Sequence, residues 1–141
     1  MSSPQVWDDA RARIELGAAQ LGLSVAWPNE QFQEPAPFSP DGGVANLWIA
    51  VSIRGDLSEP YEIEGGIWEE TGTVEVHVML PATAGIRPGL LARKALANLF
   101  RGVKEGPVIY RSAIMDPQGG PDEDGNWVPL TLRISYSYQD I

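Results

Sequence analysis

The first candidate for chemistry is a histidine close to a glutamate on one predicted strand. His77 is the only histidine in the chain, and in the run TVEVHVML it alternates with Glu75, so both are expected on the polar face of the strand. Such a pair could act as an acid–base dyad. No second histidine, cysteine or nucleophile at an elbow sequence accompanies it, and an isolated strand histidine is typical of an ordinary surface. The pattern therefore favours a surface histidine.

Two other stretches begin like binding motifs without completing them. DEDGN, residues 122–126, starts like a calcium loop, but the residues after Gly125 run into a predicted strand. Turn chemistry alone explains such a sequence at a hairpin tip. PATAGIRPG, residues 81–89, lacks the Gly-Lys-Ser/Thr of a phosphate-binding loop. The sequence predicts no catalytic residue, no cofactor and no metal site, which argues against an enzyme.

Composition narrows the class of protein. The 141 residues are 43% hydrophobic and 21% charged, which predicts one globular domain over residues 1–141. The chain has no cysteine, so disulfide and thiolate chemistry are excluded and a reducing cytoplasm is compatible. No signal core or membrane-length apolar run is present, so no membrane contact is expected. The net charge of −9 excludes the basic footprint of a protein that grips DNA.

Hydrophobic periodicity then places these residues on elements. The predicted order is a helix over 7–21 stopped by Gly22, a short strand over 23–27, a long loop over 28–43, strands over 46–54, 61–70 and 73–80 with a turn at Thr71–Gly72, a helix over 88–103, and strands over 108–115 and 127–138 around a polar tip. In the second helix the expected apolar stripe is Leu91, Ala95, Leu96, Leu99 and Phe100. This order predicts an α+β fold, an antiparallel sheet of about five to six strands with two helices packed on one face.

Aromatic residues and prolines draw attention to the loop and the sheet edges. On the predicted alternation Trp48 and Trp68 lie opposite the aliphatic face, which indicates either a second cover or a neighbouring subunit. A register error of one residue would instead place both in the core. The loop over 28–43, named here the proline loop, is stiffened by its prolines. With Trp27 and Phe32 as apolar anchors, it is interpreted as a rigid strap rather than a catalytic lid.

Three motifs in order resemble a known family. VAWPNEQF (residues 25–32), GTVEVHVMLPATAGIRPGLLARKALANLF (residues 72–100) and DGNWVPLTLRISYSY (residues 124–138) are similar to the Trp-Pro-Asn opening, the strand–loop–helix segment and the closing Gly-x-Trp strand of bacteriophage tail terminators. These are small head–tail joining proteins of long-tailed phages, prophages and gene transfer agents. The resemblance extends from about Val25 to Tyr138.

The resemblance implies a tail-terminator-like fold and a structural role. Its expected partners are copies of itself in a hexameric ring, the tail tube protein below and a head-completion protein above, with DNA passing through the pore without specific binding. The ring would stop tube polymerisation, and the protein would be located in the tail of a virion or phage-like particle assembled in the bacterial cytoplasm. Alternatives are another head–tail connector or tube-like protein, or a small ligand-binding domain or enzyme with a cleft near His77.

Three regions are expected to form subunit or tail interfaces, each with an ordinary solvated face as its alternative. They are the proline loop, an acidic hairpin over 59–72, and the basic face of the second helix. The candidate residues are Trp27, Phe32 and Phe38 for the loop, Glu62, Glu64, Glu69 and Glu70 for the hairpin, and Arg87, Arg93, Lys94 and Arg101 for the helix.

Overall fold

Two helices and five strands make up the described parts of the chain, which in the computed structural model are residues 2–61, 66–103, 105–123 and 125–140. In chain order they are α1 (Pro4–Leu21), β1 (Ser24–Ala26), β2 (Trp48–Pro60), β3 (Trp68–Pro81), α2 (Arg87–Asn98), β4 (Val108–Met115) and β5 (Trp127–Asp140). The strands form one sheet in the order β1-β2-β3-β5-β4. The α+β class is confirmed. Neither of these helices is long and apolar enough to cross a membrane.

The sheet is mixed rather than purely antiparallel. β1 runs parallel to β2, with Ser24 opposite Trp48, while the other three strand pairs are antiparallel. A parallel neighbour requires a connection of about a dozen residues or more that returns the chain to its starting end. The proline loop supplies that length, so the expectation of an antiparallel sheet is wrong at this edge.

Local sequence explains both ends of α1. Pro4 occupies the first turn, where its missing N–H costs no hydrogen bond, and Ser3 before it is extended. Gly22 adopts a left-handed conformation with φ of 69°. The N–H of Leu23 then donates to the carbonyl of Ala18 at 2.9 Å, the geometry of a Schellman ending. The predicted stop at Gly22 is confirmed.

β2 and β3 form one long hairpin instead of the predicted three-stranded meander. β3 continues through Thr71 and Gly72 while pairing with both β2 and β5. A Cβ on Gly72 would lie 2.2 Å from the carbonyl oxygen of Arg54 and 2.5 Å from the hydroxyl of Tyr136. Gly72 is therefore required for close packing within the sheet, and the predicted turn there is wrong.

The core lies on the side of the sheet formed by the even-numbered residues of β3 and β5. Val74, Val76, Val78, Leu130, Leu132 and Ile134 of this side are buried in one cluster with Val6, Ala10, Ile14 and Ala18 of α1 and Ala92, Leu96 and Ala97 of α2. Gly89 sits so close that a Cβ there would lie 2.5 Å from Leu130. We call this the helix side of the sheet, and the opposite surface the outer face.

The buried stripe of α2 differs from the predicted one. Its buried members are Gly89, Ala92, Arg93, Leu96 and Ala97, whereas Leu91 is 53% exposed. The close approach of Gly89 to the sheet rotates the helix, so that residues spaced from position 89 at helical intervals face inward. Leu96 and Phe100 are buried as predicted, but the helix ends at Asn98, five residues before the predicted end at Val103.

Candidate interface surfaces

The start of the proline loop is fixed to α1. Trp27 is buried at 7% exposure, packs against Trp7 with ring centroids 5.6 Å apart, and lies under the guanidinium of Arg11 at 4.7 Å. Arg11 also binds the carboxylate of Glu30, with Nη2 3.0 Å from Oε1, and this bond lowers the pKa of Glu30. The ring of Trp27 is thus a core group of its own chain, not an exposed anchor.

Further along, the loop covers the outer face of the sheet. The ring of Phe32 packs on Trp48 with centroids 4.9 Å apart, and Trp48 meets the edge of Trp127 at 5.8 Å. Trp48 is 9% exposed and Trp127 1%. Trp48 therefore lies opposite the aliphatic core, as the alternation predicts, and its cover is the proline loop of the same chain.

The far end of the loop is a closed turn that displays apolar side chains. The N–H of Ser39 donates to the carbonyl of Val44 at 2.8 Å, and the N–H of Asn46 donates to that of Pro37 at 2.9 Å. Phe38 and Val44 are both exposed on this turn. Of the three aromatic residues predicted for this interface, Phe38 is the one that the structure leaves open to solvent.

The far end of the β2–β3 hairpin extends beyond the core. Leu57, Tyr61 and Trp68 are all exposed there, although the strands remain paired as far as Pro60 opposite Trp68. Glu69 stands directly opposite Glu59, a like-charge pair that costs stability within one chain. We call this segment, residues 57–61 and 66–69, the distal hairpin. The candidates Glu62 and Glu64 lie outside the described residues.

Two side chains of the hairpin are placed differently from the predictions. β3 runs without a bulge from Trp68 to Pro81, so Trp68 shares the helix side with Val74, and its predicted position on the opposite face is wrong. Glu70 accepts hydrogen bonds from the N–H of Ser3 at 3.0 Å and from the hydroxyl of Tyr136 at 2.6 Å. Burial and this carboxylate raise the pKa of Tyr136. Glu70 is therefore committed within its own chain.

Three of the four predicted basic residues remain on the surface, two of them on α2 and Arg101 just after its end. Arg87, Lys94 and Arg101 are exposed, and none of them pairs with a carboxylate among the described residues. Arg93 is buried, and its Nη1 donates to the carbonyl of Asp116 at 2.8 Å and to that of Thr131 at 3.3 Å. Its predicted position on the exposed basic face is wrong, because its guanidinium satisfies backbone carbonyls inside the fold.

An apolar groove runs beside this basic face. It encloses about 400 Å³ between the end of α1, the segment leading into β2, and α2, and Leu21, Leu47, Pro88 and Leu91 contribute to its lining. Leu21 and Leu91 are 38% and 53% exposed. The groove could not be predicted from the apolar stripe of the second helix, because that stripe places Leu91 in the core. We call it the α2 groove.

The histidine–glutamate pair lies on the outer face and is occupied by neighbouring side chains. His77 Nδ1 is 2.8 Å from Thr131 Oγ1, and its Nε2 is 3.7 Å from Glu75. Glu75 is also 3.8 Å from both Arg54 and Arg133. A carboxylate that lies within 4 Å of two arginines and a histidine is typical of a surface polar network. Across the described ranges, no three histidine or acidic side chains are grouped to hold a metal ion.

The chain is similar to known proteins both in sequence and in fold. The model of the phage tail terminator protein family matches residues 5–136, nearly the whole chain. One solved structure superposes with a TM-score of 0.58, covering 96% of each chain at 22% sequence identity, which shows a shared fold. No curated protein matches the sequence.

Proposed function

Because the chain belongs to the phage tail terminator protein family, we propose that it closes the growing end of a phage tail. In this proposal, copies of the chain form a hexameric ring on the last ring of the tail tube, and the ring stops further addition of tube subunits. Its other surface joins the tail to a head-completion protein. Assembly takes place in the bacterial cytoplasm, and the protein remains in the tail of the finished particle.

The observation that carries this proposal is the family match over residues 5–136. The family is one of structural proteins rather than enzymes, and the surfaces described above are consistent with such a role. The distal hairpin and the α2 groove expose apolar side chains that a solitary chain leaves in contact with water. Exposed patches of this kind are typical of protein–protein contacts.

Charge supports the passage of DNA through such a ring. The chain has 19 acidic and 10 basic residues, and polyanionic DNA is repelled by a surface of the same sign. A pore lined by acidic side chains would let DNA slide without capture. Salt-sensitive, tight binding of the purified chain to duplex DNA would contradict this part of the proposal.

Deletion of the gene from its phage or prophage tests the function directly. We expect tails of abnormal and variable length without attached heads, visible by negative-stain electron microscopy. Expression of the intact chain from a plasmid should restore joined particles of normal tail length. Normal particles without the gene would refute the proposal. If the deletion instead gave short tails whose tubes lack subunits along their whole length, the chain would be a tube-like protein.

A functional control uses the histidine on the outer face. His77→Ala expressed in the deletion strain should restore normal particles, since the ion-pair network around Glu75 is a surface feature. Failure of this variant to complement, with its fold intact by circular dichroism, would favour an activity centred on His77.

A further inference from the structure

We propose that the distal hairpin of one copy docks into the α2 groove of the next copy. The proposal rests on the proposed function, because it specifies the contact that would repeat around the ring. It assigns an occupant to each of two exposed apolar surfaces. Three properties support it, namely the positions of the surfaces, their side chains and their charges.

The two surfaces lie at opposite ends of the molecule. Leu47 lines the α2 groove immediately before β2 begins at Trp48, and β2 then runs 13 residues to Pro60 in the distal hairpin. At about 3.3 Å per residue, this strand spans roughly 40 Å. A hairpin at one end cannot reach the groove at the other end of its own chain. A contact between them joins different copies head to tail, the arrangement that generates closed rings.

The apolar side chains of the two surfaces match in kind. The distal hairpin presents Leu57, Tyr61 and Trp68. Leu57 pairs with Thr71 and so lies on the outer face, whereas Trp68 lies on the helix side. Both faces of the hairpin therefore carry an exposed apolar group. The groove presents Leu21 and Leu91. Aromatic side chains that fill an apolar cleft on a partner are the usual centre of a stable interface.

The charges around the two surfaces are opposite. Residues 55–70 contain six carboxylates and no basic residue, whereas residues 82–103 contain four basic residues and no carboxylate. Within the described residues, Glu59 and Glu69 flank the apolar side chains of the hairpin, and Arg87 and Lys94 belong to α2 beside the groove. Arg87 and Lys94 lack a carboxylate partner in their own described chain. A neighbouring hairpin would supply partners and also relieve the repulsion between Glu59 and Glu69.

Site-directed cross-linking tests the contact, and the absence of native cysteine makes it clean. A Leu57→Cys copy is mixed with a Leu91→Cys copy of different mass, and a short bis-maleimide is added. The matched control replaces the second copy by Leu16→Cys, on α1 outside the groove and equally exposed. The mixture is examined as the purified chain at high concentration and in assembled particles from the complemented deletion strain.

We expect the Leu57–Leu91 product to exceed the Leu57–Leu16 product several-fold, with little product from Leu91→Cys alone. Equal yields from the two mixtures, in both the purified chain and the particles, would overturn the proposal. If this happened while gene deletion still gave long tails, the inference would fail and the proposed function would stand.

Charge reversal provides an independent test of the same contact. Glu59→Lys with Glu69→Lys should reduce the Leu57–Leu91 product, as should Arg87→Glu with Lys94→Glu, most strongly at low ionic strength. Mixing the two reversed copies should restore it. Loss without restoration, when both variants keep the wild-type circular dichroism, would contradict the pairing of these two surfaces.

Discussion

The two halves of the β2–β3 hairpin have the same backbone pairing but different surroundings. In the near half, Val74, Val76 and Val78 are fully buried under the helices, whereas in the far half Leu57 and Trp68 are about half exposed. Hydrogen bonding between the strands continues from one half into the other. Strand formation therefore does not determine which residues join the core. That is determined by where the helices end.

The boundary between the halves lies where the start of α1 meets the sheet. Glu70 receives the Ser3 N–H and the Tyr136 hydroxyl, and two residues further Gly72 leaves space for that tyrosine. We expect a substitution on the near side of this junction to lower the stability of the fold, and one on the far side to leave it nearly unchanged. The following changes test that division, from the largest expected effect to the smallest.

Truncation of a core leucine should have the largest effect. Leu132 is fully buried on β5, and Leu132→Ala is expected to lower the free energy of unfolding by about 2–5 kcal/mol through lost burial and a cavity. Leu57→Ala, in the far half, should change it by less than about 0.5 kcal/mol. Urea unfolding followed by tryptophan fluorescence measures both. Equal losses would abolish the distinction between the halves.

A methyl group at the boundary should have an intermediate effect. Gly72→Ala places a Cβ against the Arg54 carbonyl and the Tyr136 hydroxyl, and the forced shift should cost about 1–3 kcal/mol. Gly66→Ala meets no atom within 4 Å, so the reduced freedom of the unfolded chain should make it neutral or slightly stabilising. The melting temperature of Gly72→Ala should fall below that of the wild type, whereas that of Gly66→Ala should stay the same or rise slightly. A Gly72→Ala melt at the wild-type temperature would show that the sheet relaxes freely there.

Removal of the boundary hydroxyl should have a smaller, pH-dependent effect. Tyr136→Phe breaks the bond to Glu70 and should cost about 1 kcal/mol near neutral pH. The pKa of Tyr136 is raised in the folded chain, whereas in the unfolded chain a tyrosine has a pKa of about 10. The neutral phenol therefore stabilises the fold fully below about pH 10, and this stability is lost as the pH rises above that value. The wild type should therefore lose stability above pH 10 more steeply than Tyr136→Phe does. Tyr61→Phe, which removes an exposed hydroxyl in the far half, should lower stability near neutral pH less than Tyr136→Phe does.

Neutralising a single carboxylate should change the free energy of unfolding least, and the sign of the change should differ between the two halves. Glu75→Gln removes the group shared by Arg54, His77 and Arg133 at 3.7–3.8 Å and should cost less than about 1 kcal/mol, decreasing with salt. Glu69→Gln relieves repulsion from Glu59 and should stabilise the isolated chain by roughly a few tenths of a kcal/mol. Chemical unfolding at two salt concentrations distinguishes the two outcomes. If Glu69→Gln lowered the free energy of unfolding, the carboxylates of Glu59 and Glu69 would not repel each other in the isolated chain.

Much of the fold could be predicted from periodicity because the relevant patterns are local. The stop of α1 depends on Gly22, and β4 and β5 follow from alternation, with β4 found over the predicted residues and β5 ending at Asp140 rather than Tyr138. The direction of β1 could not be predicted, because it depends on the route of a loop without periodicity. The Thr71–Gly72 dipeptide is typical of a turn, but here Gly72 lies within a strand, where the absence of a side chain leaves space for Tyr136.

The candidate surfaces were harder to predict because exposure depends on tertiary packing. Any rule that places apolar residues inside assigns Leu91 to the core and Arg93 to the surface, and the structure reverses both. Arg93 is tolerated inside because it binds carbonyls from two other segments, and no local pattern indicates such partners. Similarly, the contact of Phe32 with Trp48 could not be predicted, because Phe32 lies in a loop that has no hydrophobic period.

The place of β5 in the chain has a consequence for synthesis. β5 is the last of the described elements to leave the ribosome, yet it pairs along its whole length with β3 and supplies Leu130, Leu132 and Ile134 to the core. Until it emerges, β3 has an open edge and α2 lacks much of the surface on which it packs. Closing such distant pairs is entropically costly and slow. The core therefore cannot close until β5 has been translated, and a chain truncated before β5 would lack Leu130, Leu132 and Ile134.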